Sequence, residues 1–323
     1  MARFRPSNHC PPRVARQLVA LFFACAVHPA HAQPLLYVDN AGTNTIGEYN
    51  AATGATINAT LVNGQGLNQP AGLVLAGNRL LVANSNNNTI GAYDATTGAT
   101  INATFVNNTQ GSNVPRGLAL DANNHLFAVG SAVGEYDATT GATINSNFIS
   151  GSQLGIPVTD LLDGQNHIFV ANGPGGKIGK YDATTGATIN SSFVSGLTEP
   201  GGMALDALGH LFVSETPFNA GAVVECDINT GAIINGSFIT GLYHPGFLAL
   251  DNNGHLFVAG ANINTIGEYD AATGAVINAN FIAALSSPGG VVFVVPEPGS
   301  LALLSVAAAA AGWAIRRRQG RPH

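Results

Sequence analysis

The chain has 323 residues, of which 40 are glycine and only 9% are charged. This composition favours short strands and tight turns over helices, which are usually rich in Glu, Lys and Arg. The formal net charge is −6, but residues 33–294 contain only four bases against 17 acids, a formal charge of −13. Such an acidic body repels phosphate backbones, so we expect no nucleic acid partner.

The first 32 residues have the pattern of a secretory signal. Arg13 and Arg16 precede the apolar run 18–27, and a small-x-small cleavage site ends at Ala32. We expect signal peptidase to release a chain that begins at Gln33. Only Cys226 of the three cysteines then remains, which excludes an intramolecular disulfide and predicts a buried apolar cysteine.

The body is built on one ten-residue stretch, Tyr93–Asn102, and on five close copies of it at intervals of 43 to 45 residues. A fixed period of this length indicates a repeat architecture. One unit contains four short strands, a to d, predicted at 70–75, 80–83, 89–93 and 100–106. Gly98 falls in the turn between c and d, where a positive φ is needed.

Six units of four antiparallel strands predict an all-β, six-bladed propeller over residues 33–294. The body begins at strand b of a unit and ends with an isolated strand a, predicted at 288–294. We therefore expect the last strand to complete the first blade and close the ring. The other blades are predicted at 70–106, 115–149, 157–194, 200–239 and 245–282.

Two stretches carry a family resemblance. Residues 36–46, LYVDNAGTNTI, resemble a YVTN-type propeller repeat, and residues 245–258, PGFLALDNNGHLFV, resemble an NHL repeat. Six blades rather than seven favour the NHL and lactonase-like side. The resemblance implies a fold and little about activity.

The C-terminal segment 295–323 resembles the PEP-CTERM sorting signal of bacteria with exopolysaccharide-rich surfaces. It contains Pro296-Glu297-Pro298, an apolar stretch at 301–315 and the cluster Arg316-Arg317-Arg318. The apolar stretch predicts a short membrane-anchoring helix, with the arginines on the cytoplasmic side. The resemblance implies an exosortase-like enzyme as partner, transient inner-membrane anchoring, and then the surface or matrix of a Gram-negative-type bacterium. An ordinary tail anchor without cleavage is the alternative.

The strand order predicts two unlike faces. The a–b and c–d turns, many of them Asp-Ala-Thr-Thr-Gly, form a uniform face, and the d–a and b–c loops form a varied face. Variable loops on a rigid scaffold often bind ligands, although relaxed constraint gives the same pattern. The candidate binding residues on this face are Asn84, Asn88, Asn108, Asp160, Glu215 and His244. The tail is expected to leave from the uniform face, with the varied face directed away from the membrane.

Asp160 stands where other blades have Leu118, Met203 or Leu248, in the innermost strand. It is the single, weak candidate metal ligand, expected to line the channel with Glu215 and Asp39 nearby. Lactonase-like propellers hold a divalent metal with several such residues, but the other inner strands here are apolar. A solvated channel acid is the simpler interpretation.

Four histidines recur just before strand b, and two stretches, 84–88 and 251–254, faintly resemble calcium loops. The histidines lie in separate blades, so we interpret them as turn-packing residues. The loops lack the full calcium-ligand spacing. The recurrent histidines are His125, His167, His210 and His255.

The sequence thus favours an exported, non-enzymatic binding or scaffold module with no predicted cofactor. Matrix polysaccharide, a surface protein or a small ligand are the expected partners. The alternatives are a hydrolase or lyase with a divalent cation in the channel, and a purely structural matrix component. No catalytic residue is assigned.

Overall fold

The computed structural model describes residues 33–107, 114–151, 154–217 and 221–295, which form 24 strands. The first three blades contain β1 (Leu35–Asn40), β2 (Thr45–Asn50), β3 (Thr56–Asn63), β4 (Pro70–Ala76), β5 (Arg79–Asn84), β6 (Thr89–Asp94), β7 (Thr100–Asn107), β8 (Gly117–Leu120), β9 (His125–Val129), β10 (Val133–Asp137) and β11 (Thr143–Ile149). The other three blades contain β12 (Pro157–Leu162), β13 (His167–Asn172), β14 (Lys177–Asp182), β15 (Thr188–Ser195), β16 (Pro200–Leu205), β17 (His210–Glu215), β18 (Gly221–Asp227), β19 (Ile233–Leu242), β20 (Pro245–Leu250), β21 (His255–Gly260), β22 (Thr265–Asp270) and β23 (Val276–Ile282). The last strand, β24 (Val291–Val294), belongs to the first blade.

The strands form six separate four-stranded antiparallel sheets. Five sheets use four consecutive strands, such as β4-β5-β6-β7, and the sixth has the order β24-β1-β2-β3. The predicted six-bladed propeller is therefore confirmed, including the closing of the first blade by the last strand. Blade boundaries agree with the prediction to within a few residues.

The hydrophobic core lies between neighbouring blades. Each cluster joins the middle strands of one blade to those of the next; Phe127 of β9, for example, packs with Ile168 and Tyr181 of the following blade. Cys226 is fully buried in an equivalent cluster beside Leu211, as expected for a small apolar side chain. Stability is thus distributed around the ring.

The turn glycines bring the outer parts of neighbouring blades into contact. Gly98 has a φ of +70°, and a Cβ atom there would overlap the carbonyl oxygen of Leu61 in the preceding blade. The other five copies of this glycine have the same relation to the outer strand of the preceding blade. The repeated turn therefore serves blade packing as well as chain reversal.

The ring closure differs from the prediction in where the last strand begins. We predicted the strand from residue 288, but β24 begins at Val291. The N–H groups of Gly289 and Gly290 instead donate to the carboxylate of Asp39, at 2.8 and 2.7 Å. Asp39 is fully buried, and burial raises its pKa to about 7 although the two N–H donors lower it.

The inner strand of the third blade also begins later than predicted, at Gly117 rather than Pro115. The N–H of Arg116 donates to the carbonyl oxygen of Val129 outside the regular strand pairing.

The outer strands carry no charged side chain that would discourage pairing with another sheet. Each carries instead an asparagine whose Oδ1 accepts the backbone N–H two residues later, as Asn102 does from Thr104 at 3.0 Å. The equivalent acceptors are Asn58, Asn145, Asn190, Asn235 and Asn278. In every blade this bond lies where the register of the outer strand shifts against its neighbour, as between Asn102 and Val106.

Candidate functional site

The main cavity lies where the central channel opens on the varied face. It has a volume of about 490 Å³, and every one of the six blades contributes to its wall. Some of its residues lie at the beginning of the inner strands, such as Pro70, Pro200 and Pro245. Others lie in b–c loops, such as Ser85 and Thr216. We call this cavity the channel mouth.

The channel mouth is open because the second residue of most inner strands is small. The position in question directly follows the recurring proline. In the order of blades two to six and then one, it holds Ala71, Arg116, Val158, Gly201, Gly246 and Gly289. All six line the cavity. Two larger side chains, Arg116 and Val158, therefore stand opposite a wall of glycine and alanine.

Three polar side chains of the channel mouth come from the residue that precedes an inner-strand proline. Gln69, Glu199 and His244 have φ values of 50°, 50° and 51°, and all three line the cavity. His244 was among the candidate residues, but Gln69, Glu199 and Arg116 were not. Their signal in the sequence is their position beside the recurring proline, which by itself predicts only the start of a strand.

Two other candidate residues hold the loops of the varied face in place. Asn84 is fully buried, and its Oδ1 accepts the N–H of Asn68 at 3.1 Å. Oε1 of Glu215 accepts the N–H of Thr198 in the equivalent loop of the fifth blade. Because these side chains are occupied with backbone groups of their own blade, they position the loops around the cavity.

The last two candidate asparagines, Asn88 and Asn108, are not found in the wall of the channel mouth among the described residues. Asn88 has a φ of 56° in a b–c loop, and its partly buried side chain is not in the wall of the channel mouth. Asn108 lies outside the described residues, so its place on the varied face remains a prediction.

Asp160 is enclosed rather than open to the channel, which corrects the sequence-based expectation. It is 6% exposed, and a Cβ on Gly117 would lie 2.9 Å from its Oδ1, so the carboxylate lies between β8 and β12. Neither carboxylate oxygen has a hydrogen-bond partner within the described part of the chain. Burial raises its pKa to about 8. The carboxyl group is therefore mainly neutral at pH 7.

The recurrent histidines lie on the opposite, uniform face. His210 Nδ1 contacts Asp206 Oδ2 at 2.8 Å and lies 3.9 Å from Glu225 Oε1. Equivalent His–Asp contacts occur at His125, His167 and His255. Each histidine is thus engaged within its own blade, in agreement with a turn-packing role.

Among the described residues, the acids considered for a channel metal centre do not come together. Across the four described ranges, no three His, Cys, Asp or Glu side chains converge as metal ligands. In the stretch 251–254, Oδ1 of Asp251 accepts the N–H groups of Asn253 and His255, both at 2.8 Å, which closes the turn. Asp39, the other acid considered beside Asp160, holds the ring closure.

The residues for sorting and processing fall mostly outside the described ranges: Ala32, Pro296, Glu297, Pro298, Arg316, Arg317 and Arg318. The two ends of the described body meet on the uniform face, because Leu35 pairs with Val294 and Gln33 Oε1 accepts from Asn50 Nδ2 at 3.3 Å. Within the described ranges, no helix is long and apolar enough to cross a membrane.

Two family models match this chain. Residues 23–237 match the family described as "Outer membrane protein assembly factor BamB". Residues 294–318 match the PEP-CTERM protein-sorting motif, which confirms that resemblance and indicates export with membrane-associated sorting in Gram-negative bacteria. No curated protein matches the chain.

Solved structures show the same fold at low sequence identity. A chain in the crystal structure of a nidogen–laminin complex is 14% identical, with a TM-score of 0.64 over 82% of this chain and 99% of that one. A gluconolactonase from Xanthomonas campestris is 15% identical, with a TM-score of 0.58 over 69% and 79% of the two chains. A PQQ-bound aldose sugar dehydrogenase from Streptomyces coelicolor is 16% identical, with a TM-score of 0.58 over 83% and 90%. At this identity the likeness concerns the fold alone.

Proposed function

Because this chain belongs to the propeller family described as outer membrane protein assembly factor BamB and carries a PEP-CTERM sorting motif, we propose that it is an exported binding module of the cell surface or extracellular matrix. The channel mouth is its binding site. An exosortase-like enzyme processes the tail, and the body is then displayed or released.

The observation that carries this proposal is the channel mouth itself. A cavity of about 490 Å³ with a wall of prolines, glycines and small apolar side chains, and with a few polar groups at its rim, has the build of a ligand site. The loops around it differ from blade to blade, while the turns of the other face repeat. Gln69 supplies a side-chain amide at the rim. The hydroxyl groups of Ser85 and Thr216 donate to the backbone carbonyl oxygens of Gln69 and Glu199, at 2.8 and 3.0 Å, and their oxygens can accept a hydrogen bond from a ligand.

The alternative, a metal-dependent hydrolase like the gluconolactonase, finds less support in the residues. Its acids would have to converge in the channel, whereas Asp160 is enclosed between two blades and Asp39 bonds to the closing strand. A gluconolactonase and an aldose sugar dehydrogenase share this fold. An assay of the purified protein with lactone substrates tests the alternative directly, and hydrolysis would favour it.

A bulky residue in the channel mouth tests the proposal. We expect Ala71→Trp to weaken the saturable binding of ligands found in a glycan and metabolite screen by tenfold or more, because the indole occupies the cavity. Ala207→Trp, on an exposed turn of the opposite face, is the matched control and should bind normally. Equal binding by both variants, or no saturable ligand in the screen, would contradict the proposed site.

A further inference from the structure

A second cavity adjoins the channel mouth and shares one charged residue with it. This side cavity has a volume of about 220 Å³ and is lined by Val114, Arg116, Gly130, Ser131, Gly155, Ile156 and Pro157. Arg116 also lines the channel mouth. The two cavities therefore meet at the guanidinium-bearing side chain, and apart from Arg116 the wall of the side cavity is uncharged.

Arg116 is unusual in its electrostatic setting. It is one of four basic residues in a body with 17 acids, yet no carboxylate of the described residues forms an ion pair with it. The ion pairs found in those ranges all involve histidines of the uniform face. Its side chain is exposed at the edge of both cavities. An exposed guanidinium in such a place can pair with an anionic group of a ligand.

The backbone holds Arg116 firmly. Its N–H donates to the carbonyl oxygen of Val129 at 2.7 Å, and its own carbonyl oxygen lies so close to Gly72 that a Cβ there would overlap it. The side chain therefore starts from a fixed point in the ring of inner strands, where the other blades present uncharged residues. A ligand group paired with Arg116 would lie within reach of this one side chain, at the junction of the two cavities.

The surrounding charge limits how much negative charge a ligand can carry. Glu199 also lines the channel mouth, and the body as a whole is acidic. A phosphate dianion or a polyanion meets this repulsion in full, whereas a single carboxylate meets less of it. A carboxylate also matches the planar fork of the guanidinium in a bidentate pair.

We propose that the channel mouth binds a carboxylated sugar of the uronic acid class, with the carboxylate on Arg116 at the junction of the two cavities and the uncharged ring against the proline- and glycine-rich wall. This inference rests on the proposed function, since it names the ligand class of that same site. The hydroxyl groups of the ring face the amide of Gln69 and donate to the hydroxyl oxygens of Ser85 and Thr216, whose own protons are donated to backbone carbonyl oxygens.

Three hexoses that differ only at C6 test the inference with the purified protein. We expect glucuronate to bind at least tenfold more tightly than glucose and more tightly than glucose 6-phosphate, as measured by calorimetry or NMR titration. Arg116→Gln should abolish the preference for glucuronate over glucose. Glu199→Gln should strengthen glucuronate binding several-fold, because it removes a repelling carboxylate.

Lys177→Gln is the matched control, because it removes a positive charge from the fourth blade at a residue that lines neither cavity. The inference is overturned if glucuronate does not bind or shows no preference over glucose, if the phosphate binds more tightly, or if Arg116→Gln keeps the preference. If another ligand still binds and Ala71→Trp blocks it, the proposed binding site survives this failure. If nothing binds in a manner that Ala71→Trp blocks, both proposals fail.

Discussion

The carboxylate of Asp39 accepts the backbone N–H of Gly290 at 2.7 Å, and this contact joins the first strand of the propeller to the residue that precedes the last. Gly290 leaves room for the contact, because a Cβ there would lie 2.5 Å from Asp39 Oδ2 and 2.7 Å from Leu73. The ring is thus closed by a buried acid as well as by the ladder between β1 and β24.

We expect Asp39→Ala to destabilise the ring closure. At pH 8.5 Asp39 is mainly ionised, because its pKa is about 7. Each hydrogen bond to a charged acceptor contributes about 1.5–3 kcal/mol, and the variant leaves two buried N–H groups without their acceptor. The free energy of unfolding, measured by urea denaturation at this pH, should therefore fall by at least the contribution of one such bond, about 1.5–3 kcal/mol. Ser214→Ala is the control at the equivalent position of an internal blade, where the hydroxyl accepts from Gly202 and donates to Gly246.

Hydrogen exchange distinguishes the two variants, because it shows which strands lose protection first. Asp39→Ala should increase hydrogen exchange in β24 and β1 before the rest of the body, whereas Ser214→Ala should loosen only the fifth and sixth blades. Equal protection of β24 in both variants would contradict a closing role for Asp39.

Asp160→Leu should stabilise the protein at pH 8. The buried carboxyl group has no partner in the described ranges, and leucine is the residue at this position in three other blades. Burial of a polar group without a hydrogen bond costs roughly 1–3 kcal/mol, so we expect a gain of that order. Urea unfolding of the variant and the parent protein measures it, and a loss of stability would contradict the assigned position.

Asp160 also predicts a pH dependence. Its pKa is about 8 in the folded protein and 3.8 as the ordinary value, so between these values the folded state holds a proton that the unfolded state releases. Its contribution to stability is complete below about pH 4 and is lost as the pH rises through 8. The difference in unfolding free energy between the parent protein and Asp160→Asn should therefore shift in favour of the variant as the pH increases. A constant difference would show that this group does not titrate as assigned.

Gly98→Ala and Gly77→Ala separate backbone strain from blade packing. Both glycines have positive φ, +70° and +62°, but a Cβ on Gly77 meets nothing within 4 Å whereas one on Gly98 overlaps Leu61. A left-handed conformation costs a non-glycine residue about 1–2 kcal/mol, which should describe the Gly77 variant. The steric overlap should cost the Gly98 variant roughly 1–3 kcal/mol more. Similar melting temperatures for the two variants would contradict the packing role.

The orientation on the membrane can be tested before the tail is processed. The closing strand ends at Val294 on the uniform face, so we predict that the varied face is directed away from the membrane. A cysteine at Asn86, on the varied face, should react with an impermeant maleimide in spheroplasts faster than a cysteine at Ala52, on the uniform face. Both positions are exposed, and equal labelling in the detergent-solubilised protein is the control. Faster labelling of Ala52→Cys would reverse the proposed orientation.

Much of the fold was accessible from the sequence because each blade repeats the same local pattern. The turn around Gly98 and the regular spacing of its copies determined four strands per unit, and the unpaired strands at the two ends determined how the ring closes. These features depend on periodicity and turn chemistry, which act over a few residues and can be recognised one blade at a time.

The candidate site depended on tertiary structure. Periodicity placed Asp160 in the innermost strand, but only the approach of the neighbouring blade at Gly117 showed that its carboxylate is enclosed. Arg116 and Glu199 are 83 residues apart in number and line the same cavity. Which side chains meet at the centre of a ring depends on the tilt and conformation of strands from every blade at once, and no single repeat contains that information.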